Sequence, residues 1–152
     1  MALPNIFTKP VTDSVIERIH QLTPASQPQW GKMNVAQMMA HCCVPYEMVF
    51  TNKHHKPNFL LRFVLKSFVK KHVINEVPYP HNSKTAPAFL VSADKDFSAE
   101  RQRLVNYVLQ TQQLGETHFD GKESLSFGPM STIEWNNMFY KHLDHHLRQF
   151  GV

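Results

Sequence analysis

Ser131 and Glu134 stand three residues apart at the head of STIEWNNMFYKHLDHHLRQFG, and this run constrains the fold more than any other. The serine can accept from the N–H of residue 134 and the glutamate can reach back to the N–H of residue 131, so the pair reads as a capping box. Behind it Trp135, Phe139, Leu143, Leu147 and Phe150 recur at helical spacing, and Gly151 supplies a stop. A helix from Ser131 to Phe150 follows. Asn34 and Gln37 repeat the device ahead of VAQMMAHCCVPYEMVF, which predicts a helix from Asn34 to about Phe50. Pro45 lies inside it and lacks the N–H that would bond the His41 carbonyl. A loosened or kinked turn is therefore expected beside His41.

Three further helices are expected. One runs from about Thr12 to Leu22, capped by Thr12 or Asp13, with Val15, Ile16, Ile19 and Leu22 in register. Another covers roughly Asn58 to His72, where FLLRFVLKSFVKKH carries a broad apolar face. The third runs from about Ser98 to Gln113, with Ser98 as cap, Leu104, Val105, Val108 and Leu109 as stripe, and Gly115 as terminator. Prolines at 78, 80 and 87 leave 77–96 as a long irregular segment with room for at most a short edge strand. A polar connection joins Gly115 to Phe127-Gly128-Pro129. Helices joined by connections of mixed length predict an all-α fold, a helical bundle forming one domain over residues 1–152.

Composition narrows the function classes. With 42% apolar and 18% charged residues, the chain matches a soluble globular protein. It has no run of about eighteen apolar residues that could span a membrane. MALPNIFTKP lacks a basic start followed by an apolar run, so no secretory signal is read. Cys42 and Cys43 are adjacent and point about 100° apart on a helix, so they cannot pair with each other. They are expected to be buried, inert thiols in a reducing cytoplasm. The net charge of +4 weakly allows acidic partners. Arg62, Lys66, Lys70 and Lys71 are the one basic concentration, and their spacing is that of a solvated helix face. No nucleic-acid or membrane partner is expected, with contact of residues 59–71 to a membrane surface as a minor alternative. A homodimer is compatible with a bundle of this size, without a face to assign.

Ten histidines are the compositional oddity. His142 and His146, four apart on the last helix, stack one turn apart, where both rings can reach one ion. The pair His142 and His145 is also geometrically possible. Placed at about 100° per residue, His146 lies at the edge of the apolar face with His142 beside it and Gln149 near, whereas His145 turns toward the charged arc. His41 follows the apolar QMMA run on its own capped helix. Bundles build metal sites from inward side chains on facing helices, so His41, His142 and His146 make a candidate triad. His145 and Gln149 are candidates to orient the ligands from behind.

N-V-A-Q-M-M-A-H-C on a capped helix and the HxxHHxxQ run from His142 to Gln149 together resemble the DinB/YfiT-like superfamily of four-helix bundles. FGPMSTIEW, YKHLDHHLRQFG and Lys84-Thr85-Ala86-Pro87 resemble one branch of small bacterial proteins within it. The resemblance implies a four-helix bundle with an additional short helix and a long proline-rich loop. It also implies a divalent metal on His41, His142 and His146. Some members use low-molecular-weight thiols as transferases or isomerases, and others are described as metal-dependent hydrolases.

Three neutral imidazoles leave the charge of a divalent ion uncompensated, so such a site keeps positions open for a further ligand. Imidazole ligation suits zinc, nickel, iron and copper alike, and zinc or nickel is expected first, with iron compatible. The expected function is a metal-dependent enzyme acting on a small molecule, either a hydrolase or a small-thiol-dependent S-transferase. The alternative is a non-catalytic bundle that binds a small anionic ligand or a protein, with a structural metal or none. His145, Glu47, Asp144 and His81 are the candidate general bases. Trp30 and Trp135 could line a pocket, with core packing the leading expectation, and His54 and His55 are expected in a solvated turn.

Overall fold

The computed structural model describes residues 2–152. Helix α1 spans Lys9–Gln21 and is entered from Thr8, in extended conformation, with Pro10 in its first turn. Proline costs nothing there, because the first N–H groups of a helix have no partner inside it. Thr12, expected as a cap, is instead buried, and its hydroxyl donates to the Ile6 carbonyl at 2.7 Å. Helix α2, Val35–Phe50, carries the Asn34–Gln37 capping box and continues as helix through Pro45 without a break. It is buried almost all round from Val35 to Glu47, so it forms the axis of the core.

Helix α3, Phe59–Val64, runs into a π-helical turn, Leu65–Val69, and on into α4, Lys70–Ile74. The end of α4 is tied to the last helix, α6. Lys141 Nζ donates to the carbonyls of His72 (2.8 Å) and Asn75 (2.7 Å) and to Asn75 Oδ1 (2.8 Å). Asn137 Nδ2 donates to the Ile74 carbonyl at 2.7 Å. These donors satisfy carbonyls that a helix end leaves open. The proline-rich segment holds no strand among the described residues. It forms a 3-10 turn, Pro87–Phe89, packed on α2.

Helix α5 spans Phe97–Phe119, and its cap is Asp96, which accepts from Ala99 N, rather than Ser98. The regular turns stop at Gly115, as expected. The glycine takes φ 70° and ψ 178°, a kink that only glycine adopts without strain, and helix resumes to bring Phe119 into the core. The polar connection that follows holds a two-residue antiparallel ladder, β1 Glu123–Ser124 on β2 Gly128–Pro129. Helix α6, Thr132–Gln149, carries the Ser131–Glu134 box, with Phe150 closing it and Gly151 at φ 79°.

Helices α1, α2, α5 and α6 pack on one another around the core, and α4 leans on α6. The chain is thus mostly helical, as an all-α reading expects. Phe139 of α6 stacks on Tyr46 of α2 (centroids 4.7 Å, 4° apart in plane) and meets Trp135 and Phe119 at 5.4 and 5.6 Å. This aromatic stack sets the relation of α6 to α2, the two helices that carry the triad. Among the described residues no helix is long and apolar enough to cross a membrane.

Candidate metal centre

The α2–α6 seam brings His41, His142 and His146 together, with one candidate ligand atom from each lying within 4.8 Å of the others. His41 Nε2 and His142 Nε2 are 2.9 Å apart, and the ring centroids lie 4.5 to 4.8 Å apart. His41 and His146 are buried and His142 is half-buried. His142 and His146 share one face of α6, as their spacing predicts.

The outward nitrogens decide what the inward ones can do. His41 Nδ1 lies 2.8 Å from the Phe89 carbonyl. A carbonyl only accepts, so Nδ1 holds the proton and Nε2 carries the lone pair, which accepts from His142 Nε2. His146 Nδ1 lies 2.8 Å from Gln149 Oε1, while Gln149 Nε2 donates to the Trp30 carbonyl at 2.6 Å. The second bond sets which way round the amide stands, and that in turn leaves His146 Nε2 bare. Two unprotonated nitrogens beside a third imidazole suit a divalent cation, so this buried group could hold a metal. Gly31 permits the Gln149 contact. It sits at φ +84°, and a Cβ there would fall 2.5 Å from Gln149 Nε2.

Burial and mutual proximity keep the three rings neutral. His142 is pushed well below its ordinary value by burial first, then by His146, His41 and His145. His146 falls from 6.5 to about 3, again chiefly through burial. Burial also lowers His41, and the bond to Phe89 offsets this in part. Proton counting fixes the consequence for stability. The unfolded chain protonates His146 near pH 6.5 and the folded chain only near 3, so stability falls as the pH drops through that window. From pH 7 to pH 5, His146 alone should cost the metal-stripped protein ~2 kcal/mol, read from the urea midpoint at the two pH values. An unchanged midpoint would show a solvated ring.

Above the triad, the Phe89 ring stands edge-on to His41 (5.6 Å) and His142 (5.9 Å). To one side lies a cleft of about 300 Å³ lined by Trp30, Tyr79, His81 and His145 among others. The triad itself does not line it. His145 is the link, with its ring 5.0 Å from His146 and 5.6 Å from Tyr79. Trp30, expected in the core, is half-buried and stacks on His81 at 3.7 Å. Trp135 is in the core.

A family model described as "Protein of unknown function (DUF1569)" matches residues 6–151. The chain belongs to the DUF1569 family. No curated protein and no solved structure matches it. The DUF1569 match spans the whole centre, including Gly31, His41, Phe89, His142, His146 and Gln149.

Two of the expected bases in this DUF1569 chain are already engaged. Glu47 accepts from Lys53 (2.9 Å), pairs with His54 (3.0 Å) and meets Arg103. Burial raises its pKa, but these partners outweigh that and hold it below the usual range. His54 is accordingly half-buried rather than in a freely solvated turn. Asp144 bridges Arg18 (2.9 Å) and Arg148 (2.8 Å). No carboxylate contributes to the shifts of His41, His142 or His146. His145 and His81 remain, both at the cleft. Cys42 and Cys43 are free, buried thiols, and burial pushes Cys43 up to about 12. The residues missed from sequence were Phe89, Trp30 and Gly31. The first two act through backbone carbonyls, which carry no side-chain signature.

Proposed function

We propose that this DUF1569 chain is a metal-dependent enzyme built on a four-helix bundle of the DinB/YfiT type, with α1, α2, α5 and α6 as the four helices. His41, His142 and His146 hold one divalent cation, with zinc or nickel as the best match and iron compatible. Its chemistry is hydrolysis or small-thiol-dependent S-transfer, and the same centre equips both. The observation that carries this reading is a set of three imidazoles, two of them with unprotonated Nε2 atoms, and no carboxylate acting on them. A cation held by three neutral imidazoles would acidify a bound water or a bound thiol alike.

When bound, the cation supplies Lewis acidity that lowers the pKa of a water or thiol joining it. The chain's own groups do the rest. Phe89 covers two of the ligand rings and excludes water there. His145 lies between the cleft and His146 and is the group placed to take a proton released on the cleft side. Trp30 and Tyr79 provide flat walls for an acceptor molecule.

The position of the cleft beside the triad, rather than on it, favours a second reading, a structural ion in a non-catalytic bundle. The test is elemental analysis of the untagged protein, followed by free-thiol titration with glutathione and an aryl halide acceptor. About one ion per chain, and thiol consumption that stops on chelation, supports the enzyme. One ion without thiol consumption, and unfolding on chelation, supports the structural reading. No ion, and no uptake of added zinc or nickel, removes both.

A further inference from the structure

The helical stretch from Phe59 to Val69 turns its apolar side outward. Phe59 is 87% exposed, Leu60 71%, Phe68 62% and Phe63 58%, with Leu61, Val64 and Val69 also exposed. Only Leu65 of this stretch packs against the core. An apolar surface of this extent on a soluble chain marks an interaction site rather than a solvated face.

Charge decides what fits it. Between Glu47 and Glu76 the sequence holds no Asp or Glu, yet it holds Lys53, Lys56, Arg62, Lys66, Lys70 and Lys71. Arg62 pairs with Glu123 and Lys70 with Glu134, but Lys66 and Lys71 make no ion pair among the described residues. A groove of about 320 Å³ beside Phe59 and Phe63 is bordered by Lys66. A second copy placed on this face by a two-fold axis would set the same lysines against each other, which is unfavourable. Exposed aromatic and aliphatic side chains interleaved with unpaired lysines match a surface that offers acyl chains beneath anionic headgroups.

We propose that the outward face of residues 59–71 docks on the surface of an anionic phospholipid bilayer. The helix lies in the plane of the interface, its phenylalanines among the upper acyl carbons and Lys66 and Lys71 at the headgroups. This binding is independent of the triad, which lies on the α2–α6 seam.

The test is co-sedimentation of the full chain with vesicles of phosphatidylcholine alone or mixed with phosphatidylglycerol. Binding to the mixed vesicles should exceed binding to the neutral ones by roughly tenfold or more, and should fall as salt is raised. Phe59→Ser with Phe63→Ser should abolish sedimentation, and Lys66→Glu with Lys71→Glu should erase the preference for anionic lipid. These side chains are exposed, so unchanged far-ultraviolet circular dichroism is expected in both variants. The proposal fails if the native chain stays in the supernatant, or if the phenylalanine variant sediments equally. It also fails if the phenylalanine pair instead dissolves a concentration-dependent dimer, which would assign the face to a second copy.

Discussion

His142→Ala should weaken binding of a divalent ion by ~100-fold or more while leaving the helical signal intact. The bound is conservative, since loss of a group that merely orients a ligand already costs 10–100-fold. The ring is half-buried and packs on histidines rather than in the apolar core, so its removal spares the packing that holds α6. Elemental analysis and a competitive zinc titration of the variant give the readout. A variant that keeps one ion per chain at native affinity would exclude His142 as a ligand.

Phe139→Ala should do the reverse. The ring is almost fully buried and contacts Tyr46, Trp135 and Phe119. Truncating a core phenylalanine costs ~3–5 kcal/mol through lost transfer energy and the cavity left behind. Against a typical total of about 5–15 kcal/mol, that is a large share. It should appear as a fall in Tm of roughly 10 °C. Below the new midpoint the variant should bind a divalent ion as the native chain does, because the three histidines and their hydrogen-bond partners are untouched. A loss under ~1 kcal/mol would mean that the stack does not set the α2–α6 relation. Together the two substitutions separate the fold from the centre.

What could be read beforehand followed the range of the interactions. Both capping boxes are local, and α2 and α6 begin where Asn34 and Ser131 place them. Stacking of His142 over His146 needs only helical periodicity, and it is present. Errors arose where a residue serves a distant partner. Thr12 looked like a cap, but its hydroxyl belongs to Ile6, and the helix begins three residues earlier on Thr8 and Pro10. Gly115 breaks the helix as read, but the helical turn that resumes beyond it and carries Phe119 into the core had no local signal. Periodicity found the apolar face of 59–69 but not its direction, which depends on what surrounds the helix. Helical spacing set Gln149 near the histidines as a group to orient a ligand, but it carried no sign of the second partner. It is buried because His146 and the Trp30 carbonyl, 119 positions away, meet at its amide.

The two carbonyl locks also determine a proton inventory. His41 and His146 retain their Nδ1 hydrogens against Phe89 and Gln149, and burial favours the neutral form of all three rings. A cation entering at neutral pH therefore displaces no hydrogen ion from these imidazoles, unlike a thiolate cage, which must shed one for every cysteine. Any acid that a calorimeter detects on loading, as a heat that changes with the buffer's ionisation enthalpy, must come from the molecule sharing the cation. In this protein the heat of ionisation becomes a label for the unknown co-ligand.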